Sequence, residues 1–336
     1  MKKQSKEFRL LLVFAAIFIA MSIISPDRFF SLNNLQSMAF QLPELGIMSL
    51  AMMVIIVTSG INLSITSTAA LSGIVGAFVL SSYKTTFGGN EVLAVIAAIV
   101  ACLLVSLICG AINGSIVAYI GVSPILVTIG TMTLFEGISL KFTKGGAISG
   151  FPDAFMWFGN DTILGVPVPM IIFVLVIIGV TIKLEYTPWG QGVYMIGCNP
   201  VATEFSGINV KKVLMKVYLL SGLLCGIASI VMISRYNSAK VDYGSSYMLQ
   251  SISAAVLGGT AIEGGYGKVI GTVIATAILQ VLSSGLNIIG INRYIVDISM
   301  GVILISVLTI NFFATRRKEA KEKQKMISKA SQSKAV

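Results

Sequence analysis

The sequence predicts an all-α fold, a polytopic membrane bundle of about ten transmembrane helices. Of its 336 residues, 55% are hydrophobic and only 11% are charged, and its mean hydropathy is +0.90. Soluble domains carry about 25% charged residues, and disordered chains are poor in apolar residues. The composition therefore excludes an ordinary soluble domain and a disordered chain.

Apolar runs long enough to cross a bilayer recur along the whole chain. A hydrocarbon core of ~30 Å needs ~20 largely apolar residues per helix. The predicted spans are residues 8–24, 43–58, 64–81, 93–110, 112–140, 168–184, 213–233, 249–260, 269–289 and 295–314. The run 112–140 is either one long span or a broken one. We expect the first run to be a retained helix, because no small-x-small cleavage site follows it.

The basic residues set the expected orientation. With ten spans and both termini in the cytoplasm, 17 of the 24 Lys and Arg residues lie on the cytoplasmic side, eight of them after residue 314. This asymmetry is the one that the positive-inside rule describes. The membrane domain is then residues 1–314, and residues 315–336 form a basic cytoplasmic tail that faces membrane lipid. Topology explains most of the net charge of +10, so nucleic-acid binding is not expected.

The sequence lacks the residues that most catalytic sites need. It contains no histidine, which removes Ser-His catalysis and His-ligated metals. Its four cysteines form no C-x-x-C pair, so neither a zinc site nor a disulfide framework is expected. The glycine-rich stretch 257–271 fails the P-loop pattern, because Ile262 replaces the first glycine and Val269 follows Lys268. We predict no catalytic residue, metal or cofactor, and any ATP must be bound by another chain.

A polar stretch at residues 58–68 interrupts two apolar runs. Its side chains include Asn62, Ser64, Thr66 and Thr68. Polar, irregular backbone at membrane depth is tolerated only where it is buried in protein or lines a water-filled cavity. The stretch therefore predicts the lining of a translocation pathway, and the alternative is an ordinary cytoplasmic turn capped by Asn62 and Ser64.

An acidic residue inside an apolar run is a second candidate for the pathway. Glu136 stands between Phe135 and Gly137. A carboxylate in lipid is costly, and it suggests a function by default. The alternative is that Glu136 lies at an interface or pairs locally.

The long cytoplasmic loop 185–212 contains the pattern of a short helix at residues 200–206. Asn199 suits the N-cap, Pro200 suits the first helical position and Gly207 suits the residue after the helix end. The polar residues Thr203 and Glu204 and the aromatic Phe205 then lie on this helix. They can contact a partner, and the alternative is a plain amphipathic loop that rests on lipid headgroups.

Several short pieces, taken together, match a known family. They are residues 29–34, 58–64, 197–200, 206–210, 254–260, 264–267, 271–272 and 285–287. Because of the order and spacing of these pieces, the chain resembles the permease subunits of bacterial ABC importers for ribose, related sugars and autoinducer-2. The resemblance covers nearly the whole length of the chain. Residues 150–152, 164–167 and 237–240 look nearest to the autoinducer-2 permeases.

The resemblance implies a non-catalytic subunit in the bacterial cytoplasmic (inner) membrane. Its expected partners are a second permease subunit, identical or different, two cytoplasmic ATP-binding subunits and an extracytoplasmic solute-binding protein. The family places its coupling helix where residues 200–207 lie, so Phe205 would anchor in the ATPase. The expected cargo is a small sugar or sugar-like solute, moved inward.

The chain departs from the family pattern at polar positions. Asn62 stands where an aspartate is usual, Thr66 where a glycine is usual, and Met248 with Gln250 or Ser251 where acids are usual. Amide and hydroxyl groups can exchange hydrogen bonds with sugar hydroxyls without a fixed charge, and we therefore include Gln250 in the expected pathway. The rival functions are a secondary transporter, which needs coupling acids, and a membrane-embedded enzyme.

Overall fold

The computed structural model describes residues 6–292 and, beyond them, 294–296, 298–299, 301–302, 305–306 and 309. These residues fold into a bundle of helices, and the predicted all-α class is confirmed. The helices are α1 (Lys6–Ile24), α2 (Pro26–Phe29), α3 (Leu32–Ile56), α4 (Ile65–Ser81), α5 (Tyr83–Thr86), α6 (Glu91–Ser115, continued as a π-helix over Ile116–Ile120), α7 (Pro124–Thr143), α8 (Asp153–Asn160), α9 (Val168–Glu185), α10 (Pro188–Cys198), α11 (Pro200–Phe205), α12 (Val210–Tyr236), α13 (Tyr247–Leu257) and α14 (Val269–Ile288).

Seven helices in the described part of the chain are long and apolar enough to cross a membrane: α1, α3, α6 with its π-helical extension, α7, α9, α12 and α14. The apolar helices α4 and α13 are shorter. The predicted span 295–314 lies largely, and the tail 315–336 wholly, outside the described residues.

Within the described residues, four two-residue strands lie in the loops. β1 (Ile148–Ser149) pairs antiparallel with β4 (Ser238–Ala239), and β2 (Thr162–Ile163) pairs antiparallel with β3 (Val166–Pro167). The first pair joins the loop after α7 to the loop after α12, which fixes these two distant loops to each other.

Two predicted boundaries are wrong. The predicted span 43–58 begins at a proline, but α3 begins at Leu32, where Ser31 caps it by accepting a hydrogen bond from the amide of Asn34 at 3.3 Å. Pro43 thus lies inside the helix, which membrane helices tolerate because neighbours satisfy the freed backbone groups. Glu44 therefore lies in the middle of a membrane helix.

The second wrong boundary is the predicted start of the run 112–140, which is a broken run. Residues up to Ile120 continue α6, and the break comes at Gly121, which has a left-handed φ of +85°. Pro124 then starts α7 at its first position. Hydropathy stays high through the π-helical turn, so the apolar pattern alone did not show where the chain reverses.

The loops define two ends of the bundle. We call one the Pro200 end, formed by residues 57–64, 121–123, 186–209 and 258–268; an ion pair of 2.8 Å between Glu7 and Lys268 also places the start of α1 there. The other, the Trp157 end, is formed by residues 25–31, 82–90, 144–167 and 237–246. Each long helix runs from one end to the other.

The helices α3 and α12 form the centre of the bundle, with 78% of their most apolar window buried in each case. Helix α12 crosses α6 at two glycines. A Cβ on Gly222 would lie 2.5 Å from the carbonyl oxygen of Ser106, and a Cβ on Gly110 would lie 2.6 Å from that of Tyr218. Small residues at this crossing therefore let the two backbones approach closely, as is typical of helices in lipid.

Helix α13 has only 11 residues, which corresponds to ~16 Å and about half the thickness of a bilayer core. Residues 240–246 before it are not helical, and the first residue of α13, Tyr247, donates a hydrogen bond of 3.1 Å to Glu44 in the middle of α3. Non-helical chain thus reaches into the bundle from the Trp157 end, and a cavity lies beside it.

Candidate functional site

A polar cavity of about 300 Å³ lies between α3, α12, α13 and α14. This volume is at the lower end of the range for small-molecule sites. Most of its lining side chains are neutral hydrogen-bonding groups. The lining residues are Gln41, Leu45, Arg235, Tyr236, Ser246, Tyr247, Gln250, Leu279, Gln280, Ser283, Asn287 and Val296. The cavity therefore suits one small polar molecule.

A buried ion pair forms part of the cavity wall. Arg235 donates from Nε to Oε1 of Glu44 at 2.5 Å and from Nη2 to Oε2 at 3.0 Å. The side chain of Glu44 is 1% exposed and that of Arg235 is 18% exposed. Among the described residues that line the cavity, Arg235 is the only one with a charged side chain. The carboxylate beside it cancels that charge.

Two tyrosines complete the surroundings of this carboxylate. The hydroxyl of Tyr247 donates to Oε2 of Glu44 at 3.1 Å, and that of Tyr236 does so at 3.5 Å. Nη2 of Arg235 also donates to the Tyr236 hydroxyl at 2.6 Å. A buried charge is tolerated only when it is paired and hydrogen-bonded, and both conditions hold here. The cavity wall thus carries donors and acceptors without a net charge.

A hydrogen bond across the cavity region joins α14 to α3. Nε2 of Gln280 donates to Oε1 of Gln41 at 3.2 Å. Gln250 lines the same cavity from α13. The three glutamine side chains, each from a different helix, therefore converge on one space, and an amide offers both a donor and an acceptor to a ligand.

The predicted polar stretch forms a separate buried network near the Pro200 end. Ser64 donates from its hydroxyl to Oδ1 of Asn62 at 2.8 Å, and Asn113 donates from Nδ2 to the Ser64 hydroxyl at 2.8 Å. Thr131 donates to Oδ1 of Asn113 at 2.7 Å, and Asn62 reaches Ser221 at 3.5 Å. All five side chains are buried. The network joins the loop before α4 to α6, α7 and α12.

We expect Thr131→Val to lower the thermal stability of the protein, because it leaves a buried acceptor of Asn113 unpaired at a cost of about 1–3 kcal/mol. The matched control is Thr133→Val. Thr133 is exposed on the same helix and donates only to Ile129 of its own helix, at 3.2 Å. Thermal unfolding of both variants in detergent checks this expectation, and equal midpoints would contradict it.

The other predicted pathway residues are spread over the molecule. Thr66 and Thr68 are buried in the first turn of α4, and Glu136 is half-buried on α7. None of these three lines the polar cavity between α3 and α14. The structure therefore brings Asn62 and Ser64 together in the network, and it places Gln250 alone of the six on the cavity wall.

The predicted short helix is present as α11, Pro200–Phe205. Oδ1 of Asn199 accepts the amide of Ala202 at 3.0 Å, and Gly207 follows the helix with φ of +81°. Thr203 is buried, whereas the side chain of Phe205 is 89% exposed. Glu204 is exposed as well. The end of α11 thus presents an aromatic and an acidic side chain away from the bundle.

The segment that leads into α11 is fixed to two other loops of the Pro200 end. The amide of Gly265 donates to Val57 O at 2.9 Å, and the hydroxyl of Ser59 lies 3.1 Å from Gly197 O and 2.6 Å from Glu263 O. A Cβ on Gly197 would collide with Val57 O. We call this contact between residues 57–59, 197–198 and 263–265 the three-loop junction. It connects α10 and α11 to the loops that follow α3 and α13.

Sequence reasoning missed Glu44, Arg235, Tyr236 and Tyr247. It placed Glu44 at the start of a span and Arg235 in an external loop. A usable signal was present, because an acid and a base each lie within or beside an apolar run, and such groups in membrane helices pair with one another.

The comparisons with known proteins agree with this architecture. The family model described as "Branched-chain amino acid transport system / permease component" matches residues 34–308. The chain is 38% identical over 313 residues to the ribose import permease protein RbsC of Escherichia coli strain K12, covering 92% of this chain and 94% of that protein. It is 36% identical over 319 residues to RbsC of Haemophilus influenzae, covering 94% and 95%.

A second kind of relative is the autoinducer 2 import system permease protein LsrD of Escherichia coli strain SMS-3-5, which is 33% identical over 311 residues, covering 90% of this chain and 91% of LsrD. The identity to RbsC (38%) is thus higher than the identity to LsrD (33%), whereas residues 150–152, 164–167 and 237–240 look nearest to the autoinducer-2 permeases.

No solved structure matches the chain. The family match covers well over half of the chain, and the protein therefore belongs to the permease-component family of the branched-chain amino acid transport system type.

Proposed function

We propose that the chain is the transmembrane permease subunit of an ATP-driven importer that moves a small, uncharged sugar or sugar-like solute inward. The observation that carries this proposal is the cavity of about 300 Å³, most of whose lining side chains are neutral amides and hydroxyls. The names of the relatives, ribose and autoinducer 2 import permeases, support the same solute class.

The partners follow from the same proposal. Because the sequence contains no nucleotide-binding motif, separate cytoplasmic ATP-binding subunits hydrolyse ATP. A second permease subunit completes the membrane unit, and an extracytoplasmic solute-binding protein delivers the cargo. The chain resides in the bacterial cytoplasmic (inner) membrane.

The cavity can recognise a polyhydroxylated solute through paired donors and acceptors. Gln41, Gln250 and Gln280 each offer one carbonyl and one amino group, and Ser283 and Asn287 add two further polar groups. A sugar hydroxyl donates and accepts at once, so it matches such a set. The Glu44–Arg235 pair adds guanidinium donors without adding net charge, and this favours neutral solutes over ionised ones.

The test is ATP-dependent uptake of radiolabelled ribose into proteoliposomes that contain the permease, its ATP-binding subunits and the binding protein. We expect Gln250→Leu to weaken transport about three- to tenfold, the cost of one lost hydrogen bond. Gln191→Leu is the matched control, because Gln191 is exposed on α10 and outside the cavity. Uptake that needs an ion gradient and no ATP would identify a secondary transporter instead.

We further propose that the Pro200 end faces the cytoplasm, together with both termini. The unequal distribution of basic residues supports this orientation. The test uses a chain in which the exposed Cys198 is replaced by Ser. An impermeant thiol reagent added from outside should then label Lys144→Cys and leave Lys325→Cys unlabelled. Residue 325 lies outside the described residues. External labelling of Lys325→Cys in intact cells would reverse the orientation.

The pathway role predicted for the polar stretch stays a prediction, as does that of Glu136. If Asn62 and Ser64 line the path, Asn62→Leu with Ser64→Leu weakens transport while the amount of protein in the membrane is unchanged. If their function is the buried network, the amount and thermal stability of the protein fall. Measuring uptake and protein amount in the same membranes separates the two, with Glu136→Gln as the charge control.

We also propose that α11 is the coupling helix on which the ATP-binding subunits act. The exposed Phe205 and Glu204 offer an apolar anchor and a polar contact, and the three-loop junction connects them to the membrane helices. Movement of a docked subunit can reach the bundle through this connection.

A further inference from the structure

An apolar groove of about 560 Å³ runs along the outer face of the bundle, away from the polar cavity. It is lined by α6, α9 and α12, and Phe158 of α8 lies at its Trp157 end. Both α9 and α12 pack on α3, but their facing surfaces leave this groove between them. Residues such as Leu175 and Leu223 line it, so it is a concave apolar surface on membrane-spanning helices.

The groove has a polar group at only one end. Lys183 lines it near the C-terminal end of α9, at the Pro200 end. Its Nζ lies 5.7 Å from the ring centre of Trp189. Lysine next to tryptophan is typical of the boundary between hydrocarbon and headgroups. The groove is therefore amphipathic. The ammonium group of Lys183 lies at the level expected for lipid headgroups, and the rest of the groove is apolar.

The length of the groove matches one leaflet. From Lys183 to Ile172, both of which line it, α9 rises ~16 Å, and half of a bilayer core is ~15 Å. Gly179 widens the groove in between, because a Cβ there would meet no atom within 4 Å. An acyl chain that starts at the level of Lys183 would thus extend along the groove to the level of Ile172.

We propose that this groove is a binding site for an anionic phospholipid of the leaflet at the Pro200 end, with the phosphate at Lys183 and one acyl chain along α9 and α12. The positive charge at the headgroup level selects an anionic lipid. The match in length and the apolar lining select an acyl chain over a polar ligand. The proposal is independent of the solute that the polar cavity binds.

The test is photo-crosslinking with phosphatidylglycerol that carries a diazirine on its acyl chain, in proteoliposomes of the full chain. We expect crosslinks to map to the groove faces of α9 and α12. Gly179→Phe should reduce their yield about ten-fold, the loss expected when roughly two methylene groups are no longer buried. The matched control is Gly137→Phe, on α7, where a Cβ also meets no atom within 4 Å.

The headgroup is tested by competition between phosphatidylglycerol and phosphatidylcholine. Lys183→Gln should reduce the preference for phosphatidylglycerol about five-fold, as for one basic residue near an anionic surface. Lys216→Gln is the control, because Lys216 is exposed and does not line the groove. Crosslinks spread evenly over the outer helices, an unchanged yield in Gly179→Phe, or groove crosslinks to a second copy of the chain would overturn the proposal. An equal loss of crosslink yield in Gly179→Phe and in Gly137→Phe would also overturn it.

Discussion

Arg235→Met is expected to lower the free energy of unfolding by about 3–5 kcal/mol and to abolish transport, because it leaves a buried carboxylate without its cation. Glu44 is 1% exposed, and Arg235 provides two of the hydrogen bonds that it accepts. The hydroxyls of Tyr236 and Tyr247 remain, but neutral donors do not cancel the charge. Thermal unfolding in detergent and uptake at equal protein amount measure the two effects.

The double variant Glu44→Gln with Arg235→Met should recover most of the stability, because no uncompensated charge remains. It should recover less of the transport, since the guanidinium donors are still missing. The control is Lys240→Met, which breaks the exposed pair between Lys240 and Asp242, 2.8 Å apart. Water screens an exposed pair, so its loss should change the stability little. If Arg235→Met unfolds no more easily than Lys240→Met, the buried pair does not stabilise the bundle.

Phe205→Ala is expected to weaken docking of the ATP-binding subunits about 30-fold, the effect of losing one aromatic anchor worth ~2 kcal/mol. The Phe205 side chain is 89% exposed at the end of α11, so its removal leaves the fold of the bundle intact. Hydrolysis of ATP should then no longer respond to cargo-loaded binding protein. Co-purification of the subunits and ATPase rates in proteoliposomes measure both effects.

Two further variants make this experiment specific. Glu204→Arg reverses an exposed charge beside the anchor, and it should also reduce docking. Tyr186→Ala removes an aromatic side chain that is 76% exposed at the same end of the bundle but not on α11, and it should dock normally. Normal docking, transport and stimulation in Phe205→Ala and Glu204→Arg would place the coupling surface elsewhere.

Local chemistry explains which parts of the fold the sequence predicts well. The short helix α11 depends on residues that are close in sequence: Asn199 as its cap, Pro200 at its first position and Gly207 after its end. The structure contains this helix at the predicted position. The membrane spans depend on runs of apolar residues, and their existence was predicted. Their ends were not, since Pro43 inside α3 and the π-helical turn before Gly121 carry no local signal of continuation.

The polar cavity depends on contacts that the sequence does not show. Glu44 and Arg235 are 191 positions apart, and no local pattern indicates that they pair. Gln250 was expected in a pathway because of the family resemblance, whereas Gln41 and Gln280 were not noticed. Neutral polar residues are common in membrane helices, and only the packing of α3 against α13 and α14 shows which of them converge.

The half-length helix α13 has a consequence for how the protein enters the membrane during synthesis. Its 11 residues are too few to partition into a bilayer as an independent segment, which takes ~17–25 apolar residues. Its polar face would also be exposed to lipid until α3 and α14 cover it. The segment should therefore wait at the translocon until the 20 residues of α14 emerge, and the two helices should insert together as a hairpin. In a nascent chain that stops before Val269, a cysteine in place of the buried Ser253 should consequently react with a water-soluble thiol reagent. In one that continues beyond Ile288, the same cysteine should be protected.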